Sequence, residues 1–562
     1  MNLKFILLLP CLALLACSRT ETPAAKAADV PQAAYAMPEF HAGEVSRKIL
    51  EQGGNAVDAS IAAAFVLAVT FPEAGNIGGG GFMLMRMDNE VQFLDYRERA
   101  PSAASADMYL GESGEPIPEL SLVGHKAVGV PGTVAGLWEA HQRHGTLDWA
   151  GLLEPAISLA ANGFVMPEHL FARIDGELGG FAGRTNFADY FAGAKAERLF
   201  KQPELAKTLR RIALAGRDGF YHGKTAELLV AEMAANDGLI VAEDLAAYEP
   251  RWREPLRGNW RGFDLYSAPP PSSGGFAVLQ LLGMKEALAE EFDGHKHNSA
   301  QYVHLVAEME KRVFADRAEY FGDPDFVEVP IAQLTSADYI KRRAAEVNSQ
   351  AISSLEGAAP GLESPDTTHF SVVDQWGNAV SNTYTLNTLF GSGVVVTGAG
   401  FLLNNEMDDF SAKPNVPNYF GVVGGSANAI APGKRMLSSM SPTLLLKNGQ
   451  VQMVVGTPGG STIFTSVFQA IVNVYDFDMT PEEAVAATRF HHQLLPPDLV
   501  TMSPSRPLPA ATIRDLTARG YRVEPHPWEF GDLQMVLRTE DGYATAADPR
   551  GRGEAGVLNI AQ

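Results

Sequence analysis

Runs of apolar and small residues alternate along this chain with short polar punctuation, and the period of each run sorts it into helix or strand. Residues 54–70 are alanine-rich and apolar on nearly every side, with Asn55 placed to cap them, which predicts a helix buried all round. Pro72-Glu73-Ala74-Gly75-Asn76-Ile77 and the glycines Gly78 to Gly81 end it. Residues 82–87 and 91–96 then read as strands about Asp88-Asn89-Glu90, a hairpin that delivers Arg97 at its far end. From about 137 to 339 the pattern is mainly helical, interrupted by the turn-rich Ala268-Pro269-Pro270-Pro271-Ser272-Ser273-Gly274-Gly275. Residues 350–365 are small and polar with glycine and proline, the makeup of an exposed mobile loop.

A second hairpin follows that loop. Residues 367–373 alternate as a strand, Asp374-Gln375-Trp376-Gly377-Asn378 form a turn, and 379–386 return. If Asp374 and Asn378 close the turn, Thr367 lies opposite Thr385, with Asn387 two residues on and on the same face. Taken alone, such a hairpin is as well explained by the β propensity of threonine.

The first residues change the picture of where the body begins. Lys4 precedes an apolar run over 5–12 that is too short to span a bilayer, and Leu14-Leu15-Ala16-Cys17 reads as a lipobox with Cys17 acylated. A plain secretory signal is the alternative. Both cysteines of the chain, Cys11 and Cys17, lie in this leader, so the mature body has no internal disulfide and no Cys-ligated metal. The expected division is a signal over 1–16, a tether over 17–37, and a folded body beyond. The expected location is the periplasm, lipid-anchored to the outer or inner membrane, with Ser18 fitting the outer one by analogy with lipoprotein sorting. Among 562 residues, 46% are hydrophobic and 20% charged, ordinary for a globular protein, and the length allows one large layered unit or two to three domains. A formal charge of −22 argues against nucleic acid or anionic lipid as a partner of the folded body.

Asp366-Thr367-Thr368-His369-Phe370-Ser371, Thr383-Tyr384-Thr385-Leu386-Asn387-Thr388 and Asn404-Asn405-Glu406-Met407-Asp408-Asp409-Phe410 arrive in an order that resembles the core of a gamma-glutamyltransferase, an N-terminal-nucleophile hydrolase. The resemblance covers roughly residue 37 to the C-terminus, with 53–82, Gly129-Val130-Pro131-Gly132-Thr133 and Ser272-Ser273-Gly274-Gly275 as further landmarks. It implies an α+β fold, a four-layer αββα sandwich built from two subunits of one autoprocessed precursor. The cut would fall between Asp366 and Thr367, giving a large subunit over 38–366 and a small catalytic one over 367–562. It implies Thr367 as nucleophile, Thr385 orienting it, and Gly459-Gly460 supplying an oxyanion hole. For the donor it implies Arg97, Ser438 and Ser439 on the α-carboxylate, and Asn387, Glu406 and Asp409 on the ammonium. The substrates implied are glutathione and related γ-glutamyl donors, with water, amino acids or peptide amines as acceptors, and no cofactor or metal. Two departures stand out: Met436 replaces a more usual proline, and the lid over 414–421 carries Phe420, with Tyr419 one residue early, where many bacterial members have tyrosine.

Rival readings have less support. No G-x-S-x-G elbow occurs, Gly78 to Gly81 lack the ending of a phosphate loop, and His491-His492 lack a zinc-binding frame, which favours a structural use. A cephalosporin or glutaryl acylase on the same fold remains the nearest enzyme alternative, and a non-catalytic surface lipoprotein the nearest of another class.

Overall fold

The structure, a computed structural model, describes residues 31–354, 367–413, 416, 418 and 424–560. Cys17, Asp366, Tyr419 and Phe420 lie outside the described residues, as does most of the loop expected before Thr367. No described helix is long and apolar enough to cross a membrane.

Two antiparallel sheets stack face to face. The seven-stranded sheet runs Glu554–Asn559, Gln32–Met37, Thr367–Val373, Ala379–Thr385, Gly80–Met87, Glu90–Tyr96, Arg251–Arg253. The six-stranded sheet runs Gly542–Ala547, Gln534–Thr539, Gln450–Gly456, Thr443–Lys447, Phe263–Ser267, Leu256–Trp260. Strand alternation assigns each face to its layer. In Gly80–Met87, Met83, Met85 and Met87 join the helices outside, while Phe82 and Leu84 pack inward with Val454 and Val536 of the other sheet. Leu445, Met453 and Val455 of the six-stranded sheet face a second helical layer that includes Gly274–Ala287, Ala300–Tyr320 and Thr462–Phe477. Helix, sheet, sheet, helix is the four-layer order expected.

The helix Ala56–Thr70 is buried along its whole length, as its composition predicts. Asn55 accepts the N–H groups of Val57 and Asp58, and the Asp58 carboxylate accepts the Asn55 N–H in return. The second hairpin forms in the predicted register: Thr367 pairs with Thr385, and Asp374 closes on Asn378. Its turn is anchored on the distant helix, because Asp374 accepts the first helical N–H, that of Ala56, at 3.1 Å, besides the N–H groups of Trp376 and Asn378.

One expectation is corrected and another is borne out with additions. Gln32–Met37, assigned to the tether, is an interior strand of the seven-stranded sheet, buried apart from Gln32. Its sequence, QAAYAM, has no β-branched residue, so its pairing comes from its neighbours. The region read as mainly helical also supplies Arg251–Arg253, Leu256–Trp260 and Phe263–Ser267. These strands carry Arg, Asn and Asp at or next to sheet edges, where apolar periodicity is weak.

Replacing Asp374 by alanine strips the hairpin turn and the helix start of a shared acceptor. We expect a loss of at least about 2 kcal/mol from buried N–H groups left unpaired, measured as a lower urea midpoint at unchanged slope. An unmoved midpoint would show that water replaces the carboxylate without cost.

Candidate active site

The strand alternation that buries Phe370 and Val372 against helices turns Thr367, His369 and Ser371 toward the gap between the sheets. Ser371 donates to the Gln534 carbonyl of the opposite sheet, and His369 lies so close to Gly456 that a Cβ there would sit 2.3 Å from its ring. Thr367 therefore stands at one open end of the sandwich. Strand ends from both sheets converge there: Thr385, the residues after Tyr96, the start of Thr443–Lys447 and the end of Gln450–Gly456. Gly79 admits this convergence, since a Cβ at that position would lie 2.0 Å from the Thr385 carbonyl oxygen.

Thr367, Thr385, Asn387, Arg97, Glu406, Asp409, Ser438, Ser439 and Gly460 all line one cleft. Gly459 lies just behind the wall; its carbonyl accepts from the Thr462 N–H and hydroxyl at the start of helix Thr462–Phe477. Thr367 is 8% exposed, buried but reachable from the cleft. Thr385 Oγ1 accepts the Asn387 N–H at 2.8 Å, and Asn387, at φ 82°, directs its amide to the Asn405 carbonyl.

The secondary landmarks hold the walls in place. Asn404 donates to the carbonyls of Gly78 and Gly129 and accepts the N–H groups of Gly129 and Glu406. The Ser272-Ser273 turn holds the 438–440 segment: Ser273 N–H and hydroxyl donate to Ser438 O, and Ser272 Oγ donates to Met440 O. Met436, the departure from proline, packs its side chain with Tyr109 and Phe410 while its carbonyl accepts from Arg97 Nε.

Arg97 is the electrostatic centre. Its guanidinium is fully buried and faces Glu406 at 2.7 Å, Glu98 at 3.5 Å, and Asp409. The Glu406 contact with Arg97 is a buried ion pair. Burial works against the charge on Arg97, but the surrounding carboxylates outweigh it and hold the group protonated. Three carboxyls around one guanidinium cannot all ionise cheaply. Burial raises Glu406 well above the carboxylate range, raises Asp409, and pushes Glu98 up to about 8, in each case against the pull of Arg97.

Sequence reasoning missed Glu98, Arg317 and Ser461. Glu98 simply follows Arg97. Arg317 lines the cleft from helix Ala300–Tyr320 and donates to Ser273 Oγ at 3.0 Å; its helix buries Glu308, Glu310, Lys311, Arg312 and Asp316 as well, an inward charge load visible in sequence only once the helix is known to be buried. Ser461 follows the glycine pair and lines the cleft directly.

A threonine at a strand start, opening between two stacked antiparallel sheets with helices outside, defines the N-terminal-nucleophile hydrolase class. Within that class the chain belongs to the gamma-glutamyltranspeptidase family, whose profile it matches over residues 42–558. It is 59% identical to the glutathione hydrolase proenzyme of Pseudomonas aeruginosa across 94% of this chain and 95% of that one. Among solved structures, it is similar to gamma-glutamyltranspeptidase from Pseudomonas nitroreducens complexed with L-DON, at 57% identity over 56% of this chain and 95% of that chain, TM-score 0.56. The cephalosporin acylase of Bacillus halodurans shares the whole fold at 27% identity, covering 94% and 96% of the two chains, TM-score 0.81.

The Glu98 carboxyl gives a pH test of the charge cluster. Its folded pKa, about 8, lies above the unfolded value, so its contribution to stability is fully present below the unfolded pKa and is lost as pH rises through about 8. Glu98→Gln cannot lose a proton. Its thermal midpoint should gain on that of the wild type as pH is raised across this window; parallel curves would mean that Glu98 is ionised throughout.

Proposed function

We propose that this protein is a γ-glutamyl hydrolase and transferase, made as one chain that cuts itself before Thr367 into two subunits. The observation that carries the reading is the single cleft that joins Thr367 to a buried guanidinium and two carboxyls, within a chain of this family. A γ-glutamyl donor presents a free α-carboxylate and a free ammonium. Arg97, with Ser438 and Ser439, suits the first; Glu406, Asp409 and Asn387 suit the second. The incoming zwitterion can replace the internal ion pairs of Arg97 on both sides, so the cluster exchanges partners rather than baring a charge.

A threonine hydroxyl is a weak nucleophile unless a base takes its proton. A freed α-amino group, with a pKa of about 7.7–8.0, is partly neutral at pH 7 and lies on the same residue. In the precursor the Thr367 hydroxyl attacks the Asp366 carbonyl, and water hydrolyses the resulting ester to release the amine. In turnover Thr367 Oγ attacks the γ-carbonyl and passes its proton to the α-amine. The tetrahedral oxyanion meets the N–H groups of Gly459 and Gly460, and collapse expels the leaving amine with that proton. For glutathione the leaving group is cysteinylglycine. Water, an amino acid or a peptide amine then takes the acyl group from the threonine ester. Thr385 orients the nucleophile.

An acylase lacks the donor ammonium, and the Glu406/Asp409 pair beside Arg97 favours the zwitterionic substrate over such an acyl group. The lipobox supports Cys17 as a lipid anchor on a periplasmic enzyme; labelling with a radioactive fatty acid, lost in Cys17→Ser, tests it.

Intact mass of the denatured protein should give two fragments meeting at Asp366–Thr367, and one chain for Thr367→Ala, which should also be inert toward a γ-glutamyl anilide. A wild type that stays whole under folding conditions would move the reading to a binding scaffold. Arg97→Lys should process normally and raise KM for the anilide by roughly 10- to 100-fold, the loss of a bidentate charged contact; an unchanged KM would place the donor carboxylate elsewhere.

A further inference from the structure

The turn that carries Gly459 (φ 137°) and Gly460 (φ 55°) links the strand Gln450–Gly456 to the helix Thr462–Phe477. Ser461 occupies the N-cap position, where a serine ordinarily bonds its own helix. Here it makes no such bond. Its hydroxyl instead contacts His491 Nε2 at 3.2 Å and donates to Gln493 Oε1 at 2.8 Å.

His491 belongs to a short strand, Phe490–His491, that is splinted along one face of this helix. Three rungs, each one turn further on, tie it down. Ser461 meets Nε2; Thr465 Oγ1 meets Nδ1 at 3.1 Å; and Gln469 bonds both the carbonyl and the N–H of Phe490, at 2.8 and 3.3 Å. Helix Ala300–Tyr320, from the segment before Thr367, presses on the splint from outside. Phe314 stands edge-on to the His491 ring at 5.6 Å, and Glu310 accepts the His492 N–H at 2.9 Å. Only the first rung reaches the cleft, through Ser461.

We propose that His491 is a positioning residue for acyl transfer: through Ser461 it fixes the Gly459–Gly460 turn so that its N–H groups meet the developing oxyanion. This rests on the γ-glutamyl transfer reading above. Oxyanion donors lower a barrier only when they are already in place, because charge appears there in the transition state and not in the bound donor. A loosened turn should therefore cost turnover and leave donor affinity alone. The ring acts by geometry and not as an acid or base: burial holds its pKa down to about 3, so it is neutral at every working pH.

The two nitrogens can be separated by substitution. Glutamine at this position places its amide near Nε2, facing Ser461; asparagine places it near Nδ1, facing Thr465. With a γ-glutamyl anilide, and rates expressed per processed molecule counted by mass, His491→Gln should keep kcat within about 3-fold of wild type. His491→Asn and Ser461→Ala should each lose roughly 10- to 100-fold in kcat, with KM and the shape of the pH profile unchanged. The double variant Ser461→Ala/His491→Asn should be no slower than the worse single, as expected for residues acting as one unit. Equal losses in His491→Gln and His491→Asn, multiplying losses in the double variant, or a change confined to KM would overturn the proposal. Should the ring variants fail to fold, Ser461→Ala leaves the ring in place, and an undiminished kcat there overturns it equally. A wild type without turnover would defeat the activity reading; a wild type that turns over beside an unimpaired His491→Asn would defeat this one alone.

Discussion

The antiparallel pairing of Thr367–Val373 with Ala379–Thr385 is the constraint on which the rest of this molecule depends. A one-residue slip would turn Thr367 toward the helices and bury it with Phe370. The register is held from three sides. Asp374 closes the turn and reaches the start of a buried helix, Gln32–Met37 pairs along one edge, and Gly80–Met87 along the other. Each of the last two contacts comes from the part of the chain before Thr367, so the placement of that residue is set by strands that precede it in sequence.

Around that fixed point the chemistry is divided by mechanical stiffness. The reacting hydroxyl and its neighbour Thr385 sit on paired strands. The charges proposed to receive the donor sit on segments just beyond strand ends, where Asn404 and the Ser272-Ser273 turn stitch them to the body. The guanidinium of Arg97 is costly to bury, and its carboxyl partners soften that cost by taking up protons. The same cluster that tolerates burial is thus the one with a reason to accept a zwitterion.

Much of this was legible in the sequence where the determinants are local. Asp374 and Asn378 fix a hairpin register from within five residues, Asn55 and the alanine run fix a buried helix, and Arg97 follows a strand whose hairpin is marked by Asp88-Asn89-Glu90. Of the ten residues that the family resemblance named for the nucleophile, its partner, the glycine pair and the donor, nine line one cleft, and Gly459 lies behind its wall. What escaped depends on distant partners. Gln32–Met37 is a strand because of two flanking strands hundreds of residues away, and no propensity in QAAYAM announces it. His491 reads as an ordinary buried histidine until the fold brings it to Ser461.

The seven-stranded sheet alternates between material from before and after residue 366: one strand from the later part, one from the earlier, two from the later, then three from the earlier. The halves are interlaced like fingers, not docked like blocks. The seven-stranded sheet is complete only when both are woven together. One-to-one stoichiometry is thereby guaranteed by synthesis, with no recognition step. On the cleavage proposed above, the break would be a permanent record that weaving was completed, and an enzyme unfolded after it would have lost the covalent thread that guided its first assembly.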